Sequence, residues 1–460
     1  MEYFFENEHI HKIHFVGIGG ISMSALAKLC HARGIIVSGA DRTQSPILDE
    51  LKNLGIKIFV GHSAKNVNAD CDLLVYTIAV GENNEEILQA KRLGIRTMER
   101  SDFLGLIANS FQNVIAVSGT HGKTTTCGML GAIFLTAQKN PTIHIGGECE
   151  MIGGNLKIGG DEYFITEACE YKKHLLKLPH NTGVILNIEP DHPDSYKNLQ
   201  DLHETFDRFC LMSKNLCVIN EKYKVLLKDL SLFNHITFGG NTISNFYAKN
   251  IRQFRTGKIY FDCYKNNEFY AKIQLNIYGK HNVYNALACI AVADYYKISK
   301  RDIIVGLKSF SGIKRRFQFM GKINGNLVIE DYAHHPTEIN AVISSAKQVF
   351  QQKILAVFQP HTYTRTKSLF TEFLHCFDYA DEVVILPTYS AREKPIKNSS
   401  GKYLASSLSK IKKLVLYKNS FGSVKKYLSK KQNCVIMLIG AGDIELLAKD
   451  IKKDYLKNQK

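Results

Sequence analysis

An α/β protein with parallel sheets flanked by helices is the architecture this sequence predicts, and three observations carry it. Apolar runs of strand length alternate with helix-length amphipathic segments along the chain. A strand that enters a glycine-rich turn and leaves as a helix occurs twice, near residue 13 and near residue 114, as two tandem nucleotide-binding domains would place it. A chain of 460 residues with 45% hydrophobic content is too long for one ordinary domain and supports two to four cores, three being the middle expectation.

The first unit opens with the strand Ile13-His14-Phe15-Val16, turns at Gly17-Ile18-Gly19-Gly20 and continues as a helix over residues 23–29. A second strand, residues 35–39, runs out to Asp41. An acidic residue about twenty positions beyond the glycines is where a Rossmann-type domain receives a ribose, and a turn or helix cap is the other reading of Asp41. The third glycine of the dinucleotide fingerprint is missing, so a pyrophosphate ligand such as a UDP-sugar fits better than a nicotinamide cofactor.

The second unit is the more specific. Val114-Ile115-Ala116-Val117 leads into Gly119-Thr120-His121-Gly122-Lys123-Thr124-Thr125-Thr126, and a helix-like stretch follows from Cys127. Glycines let backbone N–H groups turn toward a polyphosphate, and the helix N-terminus adds its positive dipole end. Lys123 can reach the β and γ phosphates, and Thr124 can hold magnesium. A Walker loop would start with glycine at position 117, which is Val117 here, so this is a shortened variant.

Two carboxylate-bearing segments follow, Ile165-Thr166-Glu167-Ala168-Cys169-Glu170-Tyr171 and residues 184–194, each just beyond an apolar strand. Ligands of parallel sheets bind at the carboxyl ends of strands, so Glu167 and His192 are expected to converge with Thr124 on a phosphate-bridging metal. A structural role for His192 stays open, as do metal, substrate and solvent for Glu170. Farther on, Gly279-Lys280-His281-Asn282-Val283-Tyr284-Asn285 opens an alanine-rich helix, where His281, Asn282 and Asn285 either cap the helix or bond an adenine ring. Gly312-Ile313-Lys314-Arg315-Arg316-Phe317 reads as an interdomain joint whose guanidinium reaches phosphates, or as a solvated linker. In the last third, Asp331-Tyr332-Ala333-His334-His335-Pro336-Thr337-Glu338 and Gln359-Pro360-His361-Thr362-Tyr363-Thr364-Arg365 each follow an apolar strand. Such groups suit a ribose and a small carboxylate, with Arg365 gripping the latter; Pro336 also marks a helix start, which would make His335 structural.

Composition narrows the remaining classes. The formal charge of +16 suits anionic ligands but also an ordinary lysine-rich surface, and the basic end from Lys449 lacks interleaved aromatics, so no nucleic-acid partner is expected. The first residues are acidic rather than signal-like, and no apolar run is long enough for a membrane span, so a cytoplasmic protein without membrane insertion is expected. Eleven cysteines without a C-x-x-C pair read as reduced core residues.

In their order these stretches resemble the bacterial Mur ligases over nearly the whole chain. The resemblance rests on GIGGISMSALA, GTHGKTTT, TEACEY, NIEPDH, GKHNVYNA, GIKRRF, DYAHHPTE and FQPHTYTRT. It implies a Rossmann-like UDP-sugar-binding domain over residues 1–108, a P-loop ATPase domain with a parallel sheet over 109–312, and a Rossmann-like amino-acid-binding domain over 313–460. It also implies an ADP-forming reaction: ATP phosphorylates the lactyl carboxylate of UDP-N-acetylmuramate, and the amine of L-alanine attacks the acyl phosphate, in peptidoglycan precursor synthesis. A related branch that joins an intact peptide to the same UDP-sugar is the alternative; a non-catalytic UDP-sugar-binding protein is another.

The resemblance implies these roles. Gly17, Gly19, Gly20 and Asp41 hold the UDP-sugar. Gly119, Thr120, His121, Gly122, Lys123, Thr124 and Thr125 hold the ATP phosphates; His281, Asn282 and Asn285 hold the adenine, and Asp331 the ribose. Lys123, Glu167, His192 and Arg316 are catalytic, with Thr124, Glu167 and His192 on Mg2+. Tyr332, His334 and Arg365 form the amino-acid pocket, and the protein is expected as a monomer or homodimer. Three departures stand out. Thr362 takes the place of a common arginine, residues 169–172 differ from the usual D-E-S-D, and Pro193 replaces a larger apolar residue.

Overall fold

A computed structural model describes residue 5, residues 10–191 and residues 195–457 of the chain, and its strands form sheets of five, ten and six. The first sheet is wholly parallel, in the order Lys57–Val60, Ile36–Asp41, Lys12–Val16, Leu73–Tyr76, Arg96–Glu99. Its order reverses between Lys12–Val16 and Leu73–Tyr76, which opens a crevice at the carboxyl end of the first strand. Gly17 lies there at φ +80°, and a Cβ on it would stand 2.6 Å from the Thr77 side chain. Only glycine fits that approach.

The central sheet sets the second glycine turn. Ser213–Asn220, His180–Ile185, Asn113–Ser118 and Tyr163–Glu167 are adjacent in that order and parallel. Successive residues of Asn113–Ser118 serve opposite faces: Ile115 and Val117 join one core, Val114 and Ala116 the other. That two-residue period explains why a strand covered on both sides reads as an unbroken apolar run. The helix Lys123–Thr136 begins earlier than its apolar stretch and is buried continuously from Thr126 to Phe134, so its low amphipathicity reflects burial all round. An antiparallel ribbon, Phe246–Gln253, Ile259–Lys265 and Glu268–Leu275, forms one edge of the sheet and adds Phe246, Phe261 and Ile273 to the same core.

The third sheet runs Gln318–Ile323, Asn326–Asp331, Cys434–Ile439, Lys353–Phe358, Glu382–Ile385, Val415–Tyr417, with its first pair antiparallel and the rest parallel. Cys434–Ile439 is buried at every residue, as a central strand must be. Asn326–Asp331 and Lys353–Phe358 deliver the DYAHHPTE and FQPHTYTRT segments at their carboxyl ends. The lysine-rich C-terminal stretch forms the helix Ile444–Lys457, anchored by Ile444, Leu447, Ala448 and Ile451. Among the described residues no helix is long and apolar enough to cross a membrane. All eleven cysteines are free thiols.

Candidate active site

The phosphate loop sits at the carboxyl end of Asn113–Ser118 and is fastened from both sides. Gly119 and Gly122 have φ +133° and +87°, and a Cβ on Gly122 would stand 2.8 Å from Asn285 Oδ1. No side chain caps the helix that starts at Lys123, which leaves its N-terminus suited to an anion. The His121 N–H donates to Asn187 Oδ1 at 2.8 Å, and Asn187 Nδ2 returns a bond to the His121 carbonyl. Thr120 Oγ1 donates to the Glu189 carbonyl and accepts from the Glu189 N–H, both at 3.0 Å. The NIEPDH segment therefore shapes the loop through Asn187 and Glu189. Sequence reasoning singled out only its histidine, and His192 lies outside the described residues.

Lys123 folds back on its own loop. Its Nζ donates to the carbonyls of Gly119 and Thr120 and to Glu170 Oε2 at 2.9 Å. Burial disfavours the ammonium, but the Glu170 charge outweighs burial and holds the Lys123 pKa above its ordinary value. Glu170 is 2% exposed, so its solvent-facing reading fails, and it serves as counter-ion to this lysine, a role outside the three left open for it; its backbone carbonyl accepts from Tyr196 Oη.

Thr124 and Glu167 meet at a glycine pair. A Cβ on Gly146 would lie 3.1 Å from Glu167 Oε1, and one on Gly147 would lie 3.1 Å from Thr124 Cγ2. Glu167 Oε1 accepts from the Gly146 N–H. The Thr124 atom against Gly147 is its methyl; its hydroxyl and the Glu167 carboxylate are oxygen donors of the kind Mg2+ takes.

Beside the loop opens a cavity of about 950 Å³. Eight of the residues expected to bind ATP line it: His121, Gly122, Thr125, His281, Asn282, Asn285, Arg316 and Asp331. Gly119, Thr120, Lys123 and Thr124 do not line it. Neither asparagine acts as N-cap of the helix His281–Tyr295, whose cap residue is Lys280 without a side-chain bond. Instead Asn282 Nδ2 donates to the Tyr278 carbonyl and Asn285 Nδ2 to Asn282 Oδ1, so the capping alternative fails and an amide edge faces the cavity. Tyr278 and Phe317 stack at 4.4 Å between centroids on its wall, an apolar surface suited to a flat base. Asp331 accepts from the N–H groups of Phe317 and Ala333, both at 2.8 Å, and burial lifts its pKa to about 6.

The GIKRRF segment is a packed joint, and the solvated-linker reading fails. Arg315 is pinned to Glu330 at 2.8 Å and Glu445 at 3.0 Å, which leaves Arg316 to face the cavity over the Tyr332 ring. His335 caps the helix Pro336–Val349, so its structural reading holds. His121 lies between two carboxylates. Its Nδ1 lies 3.1 Å from Glu338 and its Nε2 3.4 Å from Glu189. Burial opposes the charged ring, but Glu338 and then Glu189 prevail and raise its pKa to about 9, while the bond to His121 lowers that of Glu189 to about 2. Glu338 was missed by sequence reasoning, although it closes the DYAHHPTE motif.

Tyr332, His334 and Arg365 gather at the ends of the third sheet. The His334 ring lies 5.5 Å from Tyr332 and 5.9 Å from His361. Arg365 is 8% exposed and paired at 3.2 Å with Asp191, so in this arrangement its guanidinium already holds a carboxylate of the protein. At the first unit, Asp41 Oδ2 accepts from the Gly19 N–H at 2.9 Å, which makes Asp41 the cap of the glycine turn. Gly17, Gly19, Gly20 and Asp41 lie outside the large cavity. The helix after that turn reaches the central sheet through Ser22, 3.1 Å from His144 Nε2, and through the Ile21 carbonyl, which accepts from Asn155.

The chain thus folds as three α/β parts, with a short phosphate loop beside a cavity lined from the second and third of them. Residues 12–112 match the Mur ligase family catalytic domain, 117–293 the Mur ligase middle domain and 315–442 the Mur ligase glutamate ligase domain. The chain belongs to the Mur ligase family. It is 42% identical over 464 residues to UDP-N-acetylmuramate--L-alanine ligase of Clostridium beijerinckii, covering 99% of this chain and 100% of the relative. It is 44% identical to the enzyme of that name from Clostridium acetobutylicum, with 96% and 98% covered. The crystal structure of UDP-N-acetylmuramate-alanine ligase from Thermotoga maritima superposes with a TM-score of 0.83 at 30% identity, covering 97% of this chain and 99% of that one. A murein peptide ligase from Psychrobacter arcticus shares the fold, with a TM-score of 0.69 at 23% identity and 96% and 98% covered.

Proposed function

We propose that this chain joins L-alanine to the lactyl carboxylate of UDP-N-acetylmuramate with conversion of ATP to ADP and phosphate, in the making of peptidoglycan precursors. The observation that carries this reading is full-length similarity at 42–44% identity to enzymes named for that reaction. The reading is supported by one cavity whose lining includes His121, Gly122 and Thr125 of the loop, the stacked Tyr278 and Phe317, and Arg316.

A carboxylate is a poor acyl donor, so ATP must first turn it into an acyl phosphate. That step spreads negative charge over the transferred phosphoryl group and calls for positioning and cationic stabilisation. Lys123, at the helix N-terminus, would exchange its Glu170 contact for β and γ phosphate oxygens, and Arg316 would reach the same group from the joint. Thr124 and Glu167 are the described residues that would hold Mg2+, with His192 as the third ligand in this proposal; when bound, the ion neutralises charge on the phosphates. Asn282 and Asn285 would read the adenine edge and Asp331 the ribose. Gly17, Gly19 and Gly20, with Asp41 holding the turn, would seat the UDP pyrophosphate at the switch point of the first sheet. Arg365, Tyr332 and His334 would receive L-alanine; Arg365 then trades Asp191 for the substrate carboxylate, and the amine attacks the acyl phosphate. Domains divided at residues 108 and 312, action as a monomer or homodimer and a place in the cytoplasm belong to the same proposal.

Phosphate release from ATP with magnesium and UDP-N-acetylmuramate, with L-alanine present, omitted or replaced by a tripeptide, tests this. Release that requires L-alanine, with the amide product seen by mass spectrometry, is the expected result. Release with tripeptide alone would reassign the acceptor.

A further inference from the structure

Glu338 stands where three parts of the site meet. It is the third residue of the helix Pro336–Val349, and its Oε2 completes a capping box by accepting from the N–H groups of His334 and His335 at 3.1 and 3.4 Å. A capping box needs no more than that oxygen. The other oxygen, Oε1, lies 3.1 Å from His121 Nδ1 in the phosphate loop and 3.7 Å from Arg316 Nη1 in the joint. The carboxylate is 11% exposed, so its two cationic contacts are made largely out of water, where they are strong.

The loop's other ties are internal to the central sheet, through Asn187 and Glu189. From the third sheet, His121 receives the Glu338 charge and the His335 ring at 4.8 Å between centroids. His121, Glu189 and His335 also lie close enough to share a metal ion. Both His335 ring nitrogens are engaged, however: Nδ1 accepts from the Thr337 N–H, and Nε2 lies 3.2 Å from the Pro190 carbonyl. A metal there would break the helix cap, whereas a protonated His121 between two carboxylates joins the same groups and leaves the cap intact.

We propose that Glu338 is a positioning residue for phosphoryl transfer: by holding His121 and Arg316 on one oxygen, it makes seating of the third sheet on the central sheet a condition for assembling the phosphate site. The proposal rests on the ligase reading above. Through Oε2 and the neighbouring His334, the same side chain links the phosphate site to the pocket assigned to the amino acid.

The test is Glu338→Gln, which keeps shape and an acceptor oxygen for the cap but removes the charge. The expected result is a fall in kcat of about tenfold to a hundredfold, the scale of a misplaced reacting group. The KM for UDP-N-acetylmuramate should change by less than about twofold, because that site is in the first sheet. His121→Asn should show the same split. The double variant should lose no more than the worse single one, since the two residues act as a unit. An unchanged kcat in Glu338→Gln, or losses that multiply in the double variant, overturns the proposal. Should Glu338→Gln fail to fold, His121→Asn carries the test alone, and an unchanged kcat there is decisive against it. Equilibrium binding of ATP is measured in parallel: if wild type shows no L-alanine-dependent turnover, the ligase reading fails, while an ATP affinity about tenfold weaker in Glu338→Gln still supports the positioning role. Equal affinities in that case overturn it.

Discussion

The ammonium of Lys123 lies 2.9 Å from Oε2 of Glu170, in a pair whose members are 14% and 3% exposed. In the proposed reaction this lysine, held by a carboxylate of the adjacent strand end, exchanges that contact for the phosphates of the nucleotide. Removing one member strands the other in a low-dielectric site, at a cost of about 3–5 kcal/mol. Lys123→Ala is expected to abolish ADP formation, to keep UDP-sugar binding and to lower the urea midpoint. Adding Glu170→Ala should recover part of the midpoint and none of the activity. A double variant no more stable than Lys123→Ala would show that the pair carries no buried charge.

His121 contributes a pH dependence of definite sign. Its folded pKa, about 9, lies above the ordinary histidine value, so its stabilisation is complete below about pH 6.5 and is lost as pH rises through 9. Urea midpoints between pH 6 and 10 should fall in the wild type on the alkaline side. His121→Asn should flatten that limb, and an equal fall in both proteins would remove His121 as its source.

Gly122 is where the loop tolerates no side chain. At φ +87° with Asn285 Oδ1 2.8 Å from an added Cβ, Gly122→Ala should cost about 1–3 kcal/mol and displace the amide proposed to read the adenine. Expected together are a lower denaturation midpoint and an ATP affinity reduced about tenfold or more. ATP binding at wild-type strength would separate Asn285 from the nucleotide.

Arg365 must release Asp191 to take a substrate carboxylate. Arg365→Ala is expected to raise the KM for L-alanine by about tenfold or more while the KM for ATP changes little. Arg365→Lys should rescue this poorly, because an ammonium cannot form the two-pronged contact. Steady-state kinetics with each substrate varied in turn check both statements.

Thr362 has φ +65° and ψ +148°, a region that β-branched residues avoid. Thr362→Gly is expected to raise the denaturation midpoint by an amount corresponding to about 1 kcal/mol. A lower midpoint would show that contacts of the Thr362 side chain outweigh the strain.

The two glycine turns, the apolar strands and the order of the motifs were legible because each is local: a backbone conformation, a two-residue period or a helix start is written within a few residues. Glu170, Glu189 and Glu338 were not legible in their roles. Each lies inside or beside a recognised motif, yet its partner is 47, 68 and 217 positions away, at Lys123 for the first and His121 for the other two. Only the family resemblance set Arg316 apart from its neighbour Arg315 in the sequence. Packing against Glu330 and Glu445 decided which of them is anchored and which faces the cavity.

By itself, the sequence determined the α/β class and the phosphate loop, since periodicity and glycine placement survive in one dimension, and its ordered motifs carried the resemblance to the family. Tertiary structure alone decided the charge partners: that Lys123 rests on Glu170, that Arg365 is held by Asp191, and that one carboxylate, Glu338, ties the phosphate loop to the third sheet. The reason is physical. An ion pair depends on distance and desolvation, and both arise only when strands far apart in the chain bring their carboxyl ends to one cavity.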